Sequence, residues 1–307
     1  MNGRLRAGLV QLCVSDDPGR NLPITRDLVR QAALGGAGWV LTPEVTNLLG
    51  ASRELQQHLL RTEDEDPTLA ALRADARDLG IWLLIGSLAL KRGGTADGDD
   101  RFVNRSFLIA PDGGIRARYD KLHMFDVTVS DSESYRESAS FRPGDRAVLA
   151  RGPTQAPMHV GMTICYDLRF PQLYRALAQA GAQVLTVPAA FNDTTGAAHW
   201  QVLLQARAIE TGCYVLAPAQ CGLHATHADP DRRPRRSYGH SLAVDPWGQV
   251  LADGGTVNNM PVDVAKAMGA DVVIAVDISA KLRTRESLKS GLAMIDQLTT
   301  YMTQVGT

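Results

Sequence analysis

The stretch His159-Val160-Gly161-Met162-Thr163-Ile164-Cys165-Tyr166-Asp167-Leu168-Arg169-Phe170-Pro171 decides how the chain is read. Its apolar, β-branched first half predicts a strand over 160–165, and Phe170-Pro171 opens a helix by placing proline at its first position. A strand that turns sharply into a helix lifts the residue at the turn clear of the sheet, beside backbone N–H groups able to hold an oxyanion. That residue is Cys165. A lone cysteine is more often a small buried hydrophobe. Cys13, Cys213 and Cys221, in or just after apolar strands without such a turn, are read that way. A thiol with an ordinary pKa of about 8.5 needs a nearby base or cation to act as a nucleophile at neutral pH.

Other strand ends can supply both. Glu44 follows Trp39-Val40-Leu41-Thr42-Pro43, which sets a carboxylate on the rim where open α/β sheets place their sites. Desolvated there, it could serve as a base, and a helix-capping role fits it equally well. Lys121 closes Ala117-Arg118-Tyr119-Asp120-Lys121-Leu122-His123. Its plain reading is an exposed strand-end lysine. Beside a cysteine, its ammonium would favour thiolate and stabilise a tetrahedral oxyanion.

Around these positions the chain alternates short apolar strands with helical patterns, the signature of an α/β layered fold. Strands are expected at 6–14, 39–42, 82–88, 160–165, 184–187 and 214–217, with helices opening at Asp66-Pro67 and Phe170-Pro171. A helix over 198–211 sets Trp200, Leu203, Leu204 and Ile209 toward the core and stops at Gly212. Two hairpins interrupt the alternation: 102–110 with 115–119 around Pro111-Asp112-Gly113-Gly114, and 241–244 with 249–251 around Asp245-Pro246-Trp247-Gly248. Gly36-Ala37-Gly38-Trp39-Val40-Leu41-Thr42-Pro43 is echoed by Gly181-Ala182-Gln183-Val184-Leu185-Thr186-Val187-Pro188, as expected of two similar halves packed sheet to sheet. Segments 93–100 and 130–140 read as exposed loops.

Composition excludes several classes of function. With 32 Lys+Arg against 33 Asp+Glu the net charge is −1, which gives no footprint for a nucleic acid. The short run Arg232, Arg233, Arg235 and Arg236, broken by Pro234, reads as a solvated loop. No apolar stretch reaches the roughly 20 residues needed to span a bilayer, and the opening residues lack a secretory pattern. The expectation is a cytoplasmic protein that binds neither membrane nor nucleic acid. Four scattered cysteines suggest neither a disulfide scaffold nor zinc, so no metal is expected.

Glu44 in Leu41-Thr42-Pro43-Glu44, Lys121 in Tyr119-Asp120-Lys121-Leu122-His123-Met124-Phe125-Asp126, and Cys165 in Thr163-Ile164-Cys165-Tyr166-Asp167-Leu168-Arg169-Phe170-Pro171 together resemble the Glu-Lys-Cys triad of the nitrilase, or carbon–nitrogen hydrolase, superfamily. The resemblance covers roughly residues 4 to 252. It implies a four-layer αββα sandwich that pairs as a homodimer, a small-molecule amide substrate, no cofactor, and a second glutamate matched by Glu137 in Tyr135-Arg136-Glu137-Ser138. The implied chemistry has Glu44 take the thiol proton, Cys165 attack the amide carbon, and Lys121 with the Tyr166 N–H hold the oxyanion; a thioester is then hydrolysed. Within the superfamily, the Tyr119–Val127 stretch, His199-Trp200 and the run from Ala206 to Gln220 resemble the Nit branch of deaminated glutathione amidases. That branch implies an ω-amide of a 2-oxo acid as substrate, with Arg169, Phe191 and His199 near it.

The pattern changes after the second hairpin. Residues 253–307 resemble the end of patatin-like lipases, in which an Asp-Gly-Gly aspartate completes a Ser–Asp dyad. The nearest match to the serine elbow such an enzyme needs, Gly239-His240-Ser241-Leu242-Ala243, runs into a hairpin, so Asp253 is read as structural. The tail is expected to form a helix near 262–268, a strand at 271–277 and a helix near 285–304. Two other readings compete: a papain-like hydrolase with His123, His199 or His240 as base, and a binding module that keeps the fold without catalysis.

Overall fold

In the computed structural model, residues 5–93, 98–130, 133–153, 158–227 and 234–254 are described, together with the backbone of 273–278. Two six-stranded sheets stack face to face. The first uses β1 (Leu5–Val10), β2 (Trp39–Leu41), β3 (Trp82–Leu90), β4 (Val103–Ile109) and β5 (Ile115–Asp120). Strands β1, β2 and β3 are parallel, whereas β4 and β5 are added antiparallel as a hairpin. A small hairpin of β6 (Asp126–Ser130) and β7 (Glu133–Arg136) follows. The second sheet repeats the plan: β8 (Val148–Gly152), β9 (Met158–Met162), β10 (Val184–Thr186) and β11 (Tyr214–Ala217) come first. A short pair, β12 (Cys221–Leu223) and β13 (Arg236–Tyr238), intervenes before β14 (Leu242–Val244) and β15 (Val250–Asp253) complete the order β15-β14-β11-β10-β9-β8.

Helices α1 (Pro18–Leu34) and α3 (Pro67–Leu79) cover the outside of the first sheet, with α2 (Arg53–Leu59) between them in sequence. Helices α4 (Pro171–Gln179) and α5 (Asp193–Thr211) cover the second. Alternation along the strands makes this a four-layer sandwich. Trp39, Leu41 and Leu84 point inward to meet Val160, Met162 and Val184 of the facing sheet, while Val40, Leu83 and Ile85 point outward to Leu28, Leu72 and Ala76. Each fully buried Leu or Val contributes roughly 1.5–3 kcal/mol, so both faces of each central strand must be apolar, as the sequence pattern required.

The helix starts follow their capping residues. Asp66 accepts the Leu69 N–H at 2.8 Å and Asp17 the Gly19 N–H at 2.9 Å, each ahead of a proline at the first helical position. Helix α5 begins five residues before the expected 198, because the Asn192 side chain accepts from Thr194 at 2.9 Å and Thr195 at 3.3 Å. Gly212 ends it in the left-handed conformation. Two expectations need correction. Ile209 is 60% exposed and packs over Gly248 instead of entering the core. Of the stretch 130–140, residues 133–139 are no open loop: they carry β7 and a single 3₁₀ turn at Glu137–Ala139.

The internal echo corresponds to equivalent places in the two sheets, since β2 and β10 are each the middle strand of a parallel trio. The halves approach so closely beyond these strands that a Cβ on Gly86 would stand 1.8 Å from the Thr42 carbonyl oxygen and 2.4 Å from Pro188, which only glycine avoids. In the tail, the strand expected at 271–277 is β16 (Val273–Ile278), antiparallel to β1 at the edge of the first sheet. The helices expected near 262–268 and 285–304 lie outside the described residues. No helix among the described residues is long and apolar enough to cross a membrane.

Candidate active site

The segments leaving β2, β5, β7 and β9 converge at one end of the sandwich, and each brings one side chain. Glu44 stands just past β2, Lys121 directly follows β5, Glu137 follows β7, and Cys165 opens a 3₁₀ turn three residues past β9. Cys165 has φ +47°, and so has Val45 beside Glu44, a region costly for a residue with a Cβ and worse for a branched one. Hydrogen bonds hold the cysteine turn. Buried Asp167 accepts from the Ile164 N–H at 2.8 Å, the Tyr119 hydroxyl at 2.6 Å and the His123 N–H at 3.0 Å, while the Cys165 N–H donates to the Pro188 carbonyl at 2.9 Å. The strand therefore stops short of the expected 165 so that the sulfur can leave the sheet.

Lys121, 2% exposed, donates from Nζ to Glu44 Oε1 at 2.8 Å and to both Glu137 oxygens at 2.9 and 2.8 Å. Glu44 also accepts from Asn104 Nδ2 and from the Ala190 N–H, each at 2.9 Å. Glu137 accepts from the Phe125 N–H at 2.7 Å. Burial alone would raise the Glu44 pKa, but the Lys121 ammonium outweighs it and keeps the acid below the ordinary carboxylate range. Burial likewise opposes charge on Lys121, yet Glu137 and Glu44 hold it protonated. Cys165 is pushed well up, first by burial and then by the Glu44 carboxylate. Lys121 does pull the thiol toward ionisation, as expected of a nearby cation, but burial and the Glu44 carboxylate outweigh it, so the resting sulfur is a neutral thiol.

These four residues line one cavity of about 690 Å³, which also takes in Tyr166 and Phe191. Arg169 and His199 stand outside its lining: Arg169 Nη2 is 3.3 Å from His199 Nδ1, and its guanidinium lies over Tyr166 at 5.9 Å and Phe191 at 5.6 Å. The three histidines of the papain-like reading are engaged elsewhere. His123 meets Asp167 at 2.7 Å and stacks on Phe170, His240 meets Asp253 at 3.0 Å, and none lines the cavity.

Three wall residues escaped the sequence reading: Asn104, Tyr135 and Arg235. The only available sign for Asn104 was an asparagine inside an otherwise strand-like run, a residue type that strands disfavour. Arg235 corrects the reading of its basic run as a solvated loop, because it is half-buried and donates to the Ala190 carbonyl. Among the described residues no group of His, Cys, Asp or Glu is arranged to hold a metal.

The pattern of the carbon-nitrogen hydrolase family matches residues 6–274. The chain belongs to that family. As a carbon-nitrogen hydrolase it is similar to the deaminated glutathione amidase of Yersinia enterocolitica, 39% identical over 244 residues that cover 79% of this chain and 80% of that protein. The Homo sapiens deaminated glutathione amidase is also 39% identical, over 247 residues, with 79% and 71% covered. In structure, the hydrolase superposes on the C. elegans NitFhit protein with a TM-score of 0.74 at 29% identity, covering 99% of this chain and 65% of that longer one. An amidase from Nesterenkonia sp., solved with acrylamide added at its active-site cysteine, gives a TM-score of 0.68 at 26% identity over 89% of this chain and 93% of that one. This carbon-nitrogen hydrolase is a cysteine amidase with a nitrilase-type αββα sandwich.

Proposed function

We propose that the protein hydrolyses the ω-amide of a 2-oxo acid, such as deaminated glutathione, with Cys165 as nucleophile, Glu44 as general base and acid, Lys121 as oxyanion cation, and Glu137 as the residue that holds Lys121. The observation that carries this reading is the single buried ammonium 2.8 Å from both Glu44 and Glu137, in the same cavity as the sulfur. Because the resting thiol is neutral, its proton passes to Glu44 as sulfur bonds to the amide carbon. Lys121 and the Tyr166 N–H hold the oxygen, the Cys165 N–H being already engaged with Pro188. Protonated Glu44 then gives its proton to the departing nitrogen, leaving a thioester. A water molecule, deprotonated by Glu44, cleaves the thioester to acid and thiol.

Intact-mass analysis after rapid quenching with a panel of ω-amides tests this. An acyl increment mapping to Cys165 is expected; an increment on another cysteine, or amide consumption with no acylated species, counts against it. If only nitriles acylate the enzyme, it is a nitrilase in the strict sense.

The same reading assigns the protein to the cytoplasm as a homodimer, with 4–252 as the hydrolase domain and 253–307 as an atypical patatin-like segment whose strand β16 pairs with β1. All four cysteines are outside disulfides, as a reducing compartment requires. Val202 and Ile209, two turns apart on α5, are 66% and 60% exposed, and Trp247, 63% exposed, sits beside Gly248, which Ile209 touches. This apolar patch suits a self-complementary twofold contact. Val202→Glu should shift the sedimentation coefficient from dimer toward monomer; a monomeric wild type excludes this assembly.

A further inference from the structure

We propose that Arg235 sets the specificity of this cavity: its guanidinium takes a carboxylate on the acyl part of the substrate and so selects monoamides of dicarboxylic acids. The assignment deepens the amidase reading above and rests on it.

Arg235 is built as an unfinished site. Its Nη2 donates to the Ala190 carbonyl, and its Cζ lies 5.4 Å over the Tyr135 ring, so the fork is already oriented. Tyr135 is itself fixed, its hydroxyl accepting from Asn192 Nδ2 at 3.3 Å. The Arg235 Nε is buried, with no hydrogen-bond partner among the described residues. Arg235 nevertheless lines the cavity, and a guanidinium edge turned to it can donate to the oxygens of a carboxylate.

The charge around the cavity agrees. Its wall holds five cationic side chains against three anionic ones. Lys121 is taken up by Glu44 and Glu137, and Arg53 by Asp100 at 3.0 Å, while Arg136 and Arg236 stand exposed at the rim. Among the described wall residues, Arg235 is the half-buried cation without a carboxylate partner. One residue links it to the base, since the Ala190 N–H donates to Glu44 and the Ala190 carbonyl accepts from Arg235. A carboxylate bound there lies a short acyl chain away from the carbon offered to Cys165. Arg169, stacked over Tyr166 and Phe191 outside the lining, has no such place.

The test compares two amides of equal chain length, glutaramate with its free carboxylate and neutral pentanamide. In Arg235→Ala the ratio of their kcat/KM values should fall roughly 30- to 100-fold, the loss of a charge-assisted hydrogen-bond pair, with most of the change in the KM for glutaramate. Arg235→Lys should keep part of the preference. An equal loss on both amides would make Arg235 a brace for Ala190, and an unchanged ratio would remove it from recognition; either overturns the proposal. Calorimetry of glutarate on Cys165→Ala, with and without Arg235→Ala, reads the same contact without turnover: weaker binding supports it and equal binding overturns it. If the wild type cleaves neither amide while glutarate binding depends on Arg235, the substrate assignment falls and the carboxylate site stands.

Discussion

Glu44→Gln is expected to lower kcat by roughly 10³-fold or more, because one carboxylate both takes the thiol proton and returns it to the leaving group, and each general acid–base role contributes about 10²–10⁴-fold. Glutamine also fits badly: its NH₂ would face Lys121 and Asn104 on one side or the Ala190 N–H on the other, all of them donors. The pH profile of the wild type separates this base from a histidine. A folded pKa below the ordinary carboxylate value means that Glu44 is ionised at every pH above that range and loses its charge only as pH falls through the depressed value. The acid limb of kcat/KM should therefore lie below about pH 4.5, with no step near the histidine value of about 6.5. A variant that keeps its activity, or a limb centred near 6.5, would return the histidine-base reading to favour.

Lys121→Met is expected to damage stability and catalysis together. Without the ammonium, Glu44 and Glu137 confront each other in a pocket where Lys121 is 2% and Glu44 7% exposed at the side chain. Breaking a buried ion pair by removing one partner costs about 3–5 kcal/mol. The denaturant midpoint should drop accordingly, and kcat should fall by roughly 10²–10³-fold for the lost oxyanion donor. Lys121→Met with Glu137→Gln relieves one of the facing charges, so it should regain part of the stability and none of the activity. If the double variant is as unstable as the single one, the loss comes from the packing of the lysine stem and not from its charge.

Much of this was legible in the chain because it rests on local rules. Proline after Asp66 or Phe170 announces a helix whatever surrounds it, and apolar strands buried on both faces show as continuous runs. Glu44, Lys121 and Cys165 were readable as strand-end residues, and their meeting followed from resemblance to a family. What stayed hidden depends on long-range contact. Arg235 looks like any arginine of a basic loop until the Ala190 carbonyl and the Tyr135 ring are brought beside it. Ile209 repeats with helical period but falls on the face turned away from the sheet. The neutral state of the Cys165 thiol could not be deduced from one cation, because burial of the sulfur and the Glu44 carboxylate beside it outweigh Lys121.

The pairing of β16 with β1 sets a limit on how the molecule can assemble. Leu5 lies opposite Ile278 and Val10 opposite Val273, so the strand that begins the first sheet waits for backbone synthesised after the second sheet is complete. Loop closure over such a span is slow, and an unpaired strand is a template for the wrong neighbour in the meantime. During translation β1 can join β2 early but keeps one open flank until residues 273–278 have emerged, which makes that flank the place where a chaperone would most profitably shield the nascent chain.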